Sequence, residues 1–444
     1  MTSNCRWPNA LTCSTAVFQP WQNKPRCNRL DLRSMEHNTG ESLNPAAAAC
    51  TLSGLRVAIM HYWFTGYAGG ERVVEALAGM FPQADFFALV APAKEELPFL
   101  RGRRVTTSFA ARIPGASRWH RHFLPFYPLA LEQFDFSNYD LVISSESGPA
   151  KGIITSPETC HICYCHSPMR YIWDMYHESR KSMNPLTRAV FSATAHYVRL
   201  WDFSTAARVD HFVANSSYIA ARIRKCYRRE STVIHPPADV AQGFISPSIG
   251  DYYLVVSRFV PYKRVDLAIE ACNRLRRPLR VVGTGPEYAA LKKLAGPTIE
   301  FLGQLDEASL RQSYAHCRAL VFPGQEDFGL VPVEAQSHGR PVIAYGRGGA
   351  LETVTDHSSD DGDCARSTGL FFQDPTPESL CDAICRFERA EGQFRPEFIR
   401  TSVERFSLGR FKAEFEAYVL DKLSSLRNSQ RDNLQPMYTV PRRR

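Results

Sequence analysis

The sequence predicts an α/β protein built as two doubly wound, Rossmann-like domains that face each other across a cleft. Three observations carry that prediction. Short apolar β-type runs alternate with helix-length segments from Leu55 onward, which favours a mainly parallel sheet. The alternation starts afresh after a linker-like stretch, "QGFISPSIGD". The chain has 444 residues and is 44% hydrophobic, more than one core usually supports.

Residues 1–53 are rich in Asn, Pro, Ser, Thr and Cys without sustained periodicity and read as a disordered leader, with Met35 a second candidate start. The first domain is expected over 54–245. It opens with a βα unit: the strand "LRVAIMH", the glycine loop "YWFTGYAGGER" and the helix "VVEALAGMF". The runs "YDLVISSE", "HICYCH" and "DHFVANSS" continue the sheet. A hinge is expected near residue 245. The second domain, 246–406, contains the runs "YYLVVSR", "LRVVGTG", "IEFLG", "ALVFPG", "PVIAYG" and "GLFF", with helices such as "VDLAIEACNRL" and "SLRQSYAHC" between them. A closing helix over 407–426 and a disordered basic tail over 427–444 complete the expected order. In sheets of this kind ligands bind beyond the carboxyl ends of the strands, so facing domains put the site in the cleft between them.

Composition narrows the classes. No apolar run approaches the ~18 residues of a membrane-spanning helix, and the N-terminus lacks the charged-then-apolar order of a secretory signal. The thirteen cysteines are an odd number, mostly single in apolar surroundings, and read as reduced thiols. A cytoplasmic protein is the expectation. The cluster "CHICYCH" lacks a second Cys or His pair at finger spacing, and strand alternation separates Cys163 and Cys165 from His166, so no metal site is expected there. The net charge of +8, concentrated in "LRGRRVTTSFAARIPGASRWHRHF", "RIRKCYRRE" and "PRRR", suits acidic partners: nucleic acid, anionic lipid or phosphorylated substrates.

The chemistry-bearing residues follow the strands of the second domain. "VVGTGPEYAAL" supplies Gly283 and Gly285, but Tyr288 stands where a dinucleotide fingerprint needs its third glycine, so the pair reads as turn-forming. "SRFVPYKRVD" offers Arg258 and Lys263, with Arg264 beside them. Such cations can clamp a diphosphate as it gains charge; surface pairing with Asp266 or Glu270 is the competing reading. In "GQEDFGLVPVEAQSHGRPVIAYGRGGALETV", residues 324–354, Glu326 and Glu334 flank a strand-to-helix turn. If Gly329 and Leu330 start the helix that carries Glu334, backbone N–H groups can receive a phosphate there. The two carboxylates then suit the hydroxyls of a sugar and a ribose.

Here the sequence resembles the retaining nucleotide-sugar glycosyltransferases of GT-B architecture, glycosyltransferase family 4. The resemblance runs from Leu55 to Leu423 and rests on "SRFVPYKRVD", "GTGPE", "FLGQLDEASL", the stretch 324–354 and "GLFF", in the family's order. It implies that Arg258 and Lys263 hold the donor diphosphate, and that Glu326 contacts the transferred sugar beside the Phe328–Leu330 backbone. Glu334 is then expected to bind the ribose. Gly69 and Gly70 in "TGYAGGER" are expected to permit close backbone approach to the diphosphate, with an ordinary turn as the alternative, and Gly283 joins the donor-binding set. His166, in "CYCHSPMRYIWD", falls where family members place a histidine facing the donor sugar. That stretch is also similar to one in mannosyltransferases that build bacterial surface polysaccharides from GDP-mannose.

For such an enzyme the resemblance implies front-face attack through an oxocarbenium-like transition state, with no cofactor and no metal. Asp360, Asp361, Gly362 and Asp363 in "DHSSDDGDCARS" read as an exposed loop rather than a metal-binding pair at a strand end. The expected partners are a nucleotide sugar and a lipid-linked glycan acceptor, with peripheral membrane association and no nucleic acid. "RWHRHFLPFYPLALEQF", residues 118–134, suits either a membrane interface or a partly buried helix with proline-interrupted ends. A UDP-sugar-dependent transferase, a nucleotide-sugar epimerase of the same architecture, a noncatalytic nucleotide-binding protein and, weakened by Tyr288, an NAD-dependent dehydrogenase remain as alternatives.

Overall fold

The computed structural model describes residues 52–64, 66–91, 97–113, 124–181, 183–357 and 366–433. Seven strands form the first sheet: β1 (Val57–Trp63), β2 (Asp85–Val90), β3 (Val105–Thr107), β4 (Leu141–Glu146), β5 (Cys160–Cys165), β6 (His211–Ala214) and β7 (Ser231–Val233). All pair in parallel, in the order β3-β2-β1-β4-β5-β6-β7. The second sheet has β8 (Tyr253–Val256), β9 (Leu279–Val282), β10 (Ile299–Gly303), β11 (Leu320–Phe322), β12 (Val342–Tyr345) and β13 (Gly369–Phe372), again all parallel, ordered β10-β9-β8-β11-β12-β13. Strand order reverses beside β1 and beside β8, which opens a crevice at the carboxyl end of each sheet. Both sheets belong to one compact unit.

The sequences of the central strands explain their placement. "LVISSE" of β4 and "CHICYC" of β5 are buried at every position, as befits strands covered on both faces. Their polar members are retained because neighbours satisfy them: His161 Nε2 lies 2.9 Å from Ser144 Oγ. The helix Gly69–Met80 buries Val73, Val74 and Leu77 against β1 and β4, at the spacing of one helical face.

After the second sheet the chain crosses back. The helix Leu408–Asn433 inserts Phe411, Phe415, Val419 and Leu423 into the core of the first domain, one residue per turn. The rings of Phe411 and Phe415 stack at 5.7 Å, and Tyr164 of β5 lies 5.9 Å from Phe411.

Several boundaries differ from the sequence expectations. Leu52, placed by the sequence in the leader expected over 1–53, is buried in the first core; residues 1–51 lie outside the described residues. The closing helix continues through 427–433, a segment expected in the tail; 434–444 lie outside the described residues. "DFFALV", "VTT" and "STV", the strands β2, β3 and β7, are not among the runs expected from sequence. The five-residue unbroken apolar run of β2, Phe86–Val90, cannot be told from a buried helical segment by periodicity. Residues 118–123 and the aspartates at 360, 361 and 363 also lie outside the described residues. Past residue 123 the chain forms the partly buried helix of the two readings: Tyr127–Glu132 packs Tyr127 and Leu131 inward and leaves Leu129 exposed.

Candidate active site

The first domain's wall is built at the carboxyl ends of β1, β4 and β5. His61 of β1 is fully buried and its Nδ1 donates to Ser145 O at 3.1 Å, which leaves Nε2 3.5 Å from Glu71 Oε1. Glu71 also accepts from Ala68 N at 3.0 Å, the reach-back bond of a capping box. Burial pushes the Glu71 carboxyl up, but His61 and the backbone N–H groups outweigh it and hold the group below the usual range.

His166 follows β5 directly. Its Nε2 lies 2.9 Å from Ser145 Oγ, its N–H donates to Glu146 O at 2.7 Å, and its carbonyl accepts from Asn215 Nδ2 at 3.1 Å. Burial pushes its pKa down to about 3, so the imidazole is neutral at neutral pH. Gly69 and Gly70, expected in a loop, open the helix Gly69–Met80, and its first turn passes over both rings: a Cβ on Gly70 would stand 3.6 Å from His61 Cε1 and 3.7 Å from His166 Nε2.

The second domain's wall follows β8 and β11. Arg258 is exposed, and among the described residues its guanidinium makes no ion pair. Lys263 closes the short 3₁₀ turn Pro261–Lys263 and pairs with Glu326. Arg264 turns away to Asp266 at 3.0 Å, so the surface pairing weighed from sequence holds for Arg264 and not for Lys263. Glu326 is fixed through its carbonyl, which accepts from Gly349 N at 2.9 Å.

Gly329 sits at φ +92° and caps the helix Leu330–Ser337 without a side chain to cover the first N–H groups. That left-handed backbone is what a side-chain-bearing residue resists, and it leaves the helix N-terminus open to an anion. Gly283, at φ +133°, does a different job. A Cβ there would lie 1.8 Å from Ser257 O, so the glycine lets the ends of β8 and β9 close together.

Three contacts bring the walls together. Arg72, in the helix Gly69–Met80, donates to Glu334 Oε1 at 2.6 Å, while Tyr314 OH donates to Glu334 Oε2 at 2.8 Å. A Cβ on Gly69 would come within 2.9 Å of Leu330 Cδ1. Arg170 and Arg222 of the first domain both reach Asp327. The sequence motifs put Gly69, Gly70 and His166 on one side and Glu326, Phe328, Gly329, Leu330 and Glu334 on the other; the fold sets these two groups face to face. The motifs do not single out His61, Arg72, Arg170, Arg222, Ser145 or Tyr314. Arg72 and Arg170 lie inside quoted motifs, yet their partners are 262 and 157 residues away, a pairing only the fold reveals.

A pair of parallel, doubly wound domains meeting at a cation-lined and helix-capped cleft defines the GT-B architecture. The profile described as Glycosyltransferase Family 4 matches residues 67–242, and that described as Glycosyl transferases group 1 matches 246–404. The chain thus carries a group 1 glycosyltransferase domain over residues 246–404, preceded by a Glycosyltransferase Family 4 domain over 67–242. It is similar to human alpha-1,3/1,6-mannosyltransferase ALG2, 26% identical over 51% of this chain and 58% of that one. It is also similar to the O-antigen chain mannosyltransferase C of Escherichia coli, 30% identical over 31% of this chain and 42% of that one. The chain therefore spans about half the length of these relatives. Among solved structures, Anabaena HepE in complex with UDP has a TM-score of 0.62 at 16% identity, with 83% of this chain and 100% of that one covered.

Proposed function

We propose that the protein is a retaining glycosyltransferase that moves mannose from GDP-mannose onto a lipid-linked oligosaccharide. The observation that carries this reading is the cleft itself: Lys263 paired with Glu326 beside an uncovered helix N-terminus, opposite a neutral His166 and the Gly69–Gly70 helix start. The names of the two mannosyltransferase relatives support the choice of sugar, and the O-antigen relative supports a lipid-linked acceptor.

In this reading the donor diphosphate takes Lys263 from Glu326, and Arg258 and the N–H groups after Gly329 complete its charge neutralisation. Glu326, released, accepts hydrogen bonds from the sugar hydroxyls. Glu334 keeps Arg72 and Tyr314 and still has acceptor capacity for two vicinal ribose hydroxyls, because a carboxylate offers about four lone-pair sites. As the glycosidic bond to the diphosphate breaks, the acceptor oxygen attacks from the same face and the leaving diphosphate takes its proton. His166, neutral and held by Ser145, contributes hydrogen bonding to the sugar rather than charge. No helix among the described residues is long and apolar enough to cross a membrane, so a lipid-linked acceptor would be met at the bilayer surface.

Calorimetric titration with GDP, UDP, ADP and NAD, with Glu334→Ala as control, tests the reading. GDP binding that disappears in the variant, followed by transfer from GDP-mannose, supports it. Preference for UDP would retain the transferase and discard mannose, and binding of NAD alone would overturn the assignment. Flotation with anionic vesicles tests the surface association separately.

A further inference from the structure

The strips expected to touch the transferred sugar meet at one carboxylate. Asp327 lies between Glu326 and Phe328, and its Oδ1 pairs with Arg170 and stands 3.3 Å from Arg222 Nη1. Its carbonyl accepts from Ser216 Oγ at 2.6 Å. All three donors come from the first domain. Arg170 is four residues beyond His166; Ser216 caps the helix Ser217–Tyr227, and Arg222 is inside it.

Arg222 is a fork between these strips. Its Nη1 also donates to Ser167 Oγ at 2.6 Å, next to His166, and its Nη2 pairs with Asp174. Arg170 in turn lies over the Tyr262 ring at 5.6 Å, next to Lys263. The side chains of Arg222, Arg170 and Asp327 are 10%, 18% and 27% exposed, so this is an ion cluster partly removed from water rather than a surface pair.

A second clasp closes the same seam. Glu352 of the second domain accepts from Ser217 N at 2.9 Å and Tyr218 N at 3.1 Å, and from His235 Nε2 at 3.0 Å. The opening N–H groups of a first-domain helix are thus satisfied by a second-domain carboxylate. Asp327 differs from Glu352 in its place. It is bonded in sequence to Glu326, and its partner Arg222 grips the residue after His166.

We propose that Asp327 is a positioning residue which, through Arg170 and Arg222, holds the cleft closed and fixes Glu326 against His166 for sugar transfer. The transfer step rests on the function proposed above; the closure does not. The cluster acts on geometry, because misplacement of reacting groups by about 1 Å can lower a rate a hundredfold while ligand affinity changes little.

The test compares the full chain with Asp327→Asn, Asp327→Glu, Arg170→Met and the double variant Arg170→Met/Asp327→Asn. Nucleotide affinity by calorimetry, kcat and KM for transfer, and the small-angle scattering profile without nucleotide are measured. Asp327→Asn is expected to bind nucleotide within about threefold of wild type, to lose at least about tenfold in kcat, and to scatter as a more open particle. Asp327→Glu should recover part of the kcat, and the double variant should be no worse than the more impaired single one, as for coupled partners. A superimposable scattering profile in Asp327→Asn, or an unchanged kcat, overturns the proposal. If Asp327→Asn fails to fold, Arg170→Met decides by the same readouts. Should the wild-type chain transfer no sugar, the functional reading falls, and the scattering comparison still decides the closure.

Discussion

The second domain carries its chemistry in one short stretch, whereas the first domain assembles its own from places far apart in the chain. Glu326, Asp327, Gly329 and Glu334 lie within one turn and one helix, so their order in sequence is their order in space. His61, Arg72, His166, Arg170 and Arg222 meet only because β1, β4, β5 and β6 lie side by side. Local chemistry is readable as a motif. Chemistry spread over parallel strands depends on crossovers, and a sequence does not display those as a pattern.

The strongest way to break this division is to damage the first domain from outside its own stretch of chain. Phe411 follows the second domain in sequence but is fully buried in the first core beside Tyr164 and Phe415. Phe411→Ala should cost about 3–5 kcal/mol of stability, the lost transfer term plus a cavity. Denaturant unfolding should show the loss. A change below about 1 kcal/mol would mean that the crossing helix is not part of that core.

Next in size is the loss of a cation from the second domain's motif. Lys263→Ala is expected to remove about 2–4 kcal/mol of transition-state stabilisation, a fall of about 30- to 900-fold in kcat/KM. It also leaves Glu326 without its partner, so nucleotide affinity should fall while the unfolding midpoint moves little. Unchanged turnover would remove Lys263 from the diphosphate assignment.

Acid should act chiefly on the first domain. Burial holds His161 and His166 neutral, with pKa values lowered to about 4 and about 3. Each folded value is below that of the unfolded chain, near 6.5, so the unfolded state binds more protons below that pH. Their contribution is complete above pH 6.5 and is lost as pH falls toward 4 and 3. At pH 5 each should cost about 2 kcal/mol relative to pH 7. His166→Gln, which cannot take up that proton, should lessen the acid loss by about that amount, and an unaltered pH profile would show that His166 is not held neutral by burial.

How much is legible in the sequence divides along the same line. All six strands of the second sheet coincide with runs recognised in the sequence, because each is followed by a glycine, a proline or a short turn that bounds it. In the first sheet, β2, β3 and β7 escape: β2 is apolar without alternation after Asp85, and the other two are three residues long. At the site, the residues expected to face the donor are identifiable as types, but their state is not. That Lys263 rests on Glu326, and that Glu334 already holds Arg72 and Tyr314, are facts of distance that no spacing rule contains.

The smallest effect expected is on the outer helix of the first domain, Pro185–Thr205, where periodicity misleads most. Apolar residues occur all round it, which in a sequence implies full burial. Yet Leu186, Val190 and Leu200 are 76%, 60% and 60% exposed, while Ala195 and Val198 are fully buried. The inner stripe alone couples the helix to the core. Leu186→Ser, Val190→Ser and Leu200→Ser should each leave the unfolding free energy within about 0.5 kcal/mol of wild type, against about 1–2 kcal/mol for Val198→Ala. A loss above about 1 kcal/mol at Leu200 would mean that the outer stripe is covered in solution, by a second copy or another surface. A concentration series of the same unfolding experiment would then separate self-association from the rest, since only a homo-oligomer gains stability with its own concentration.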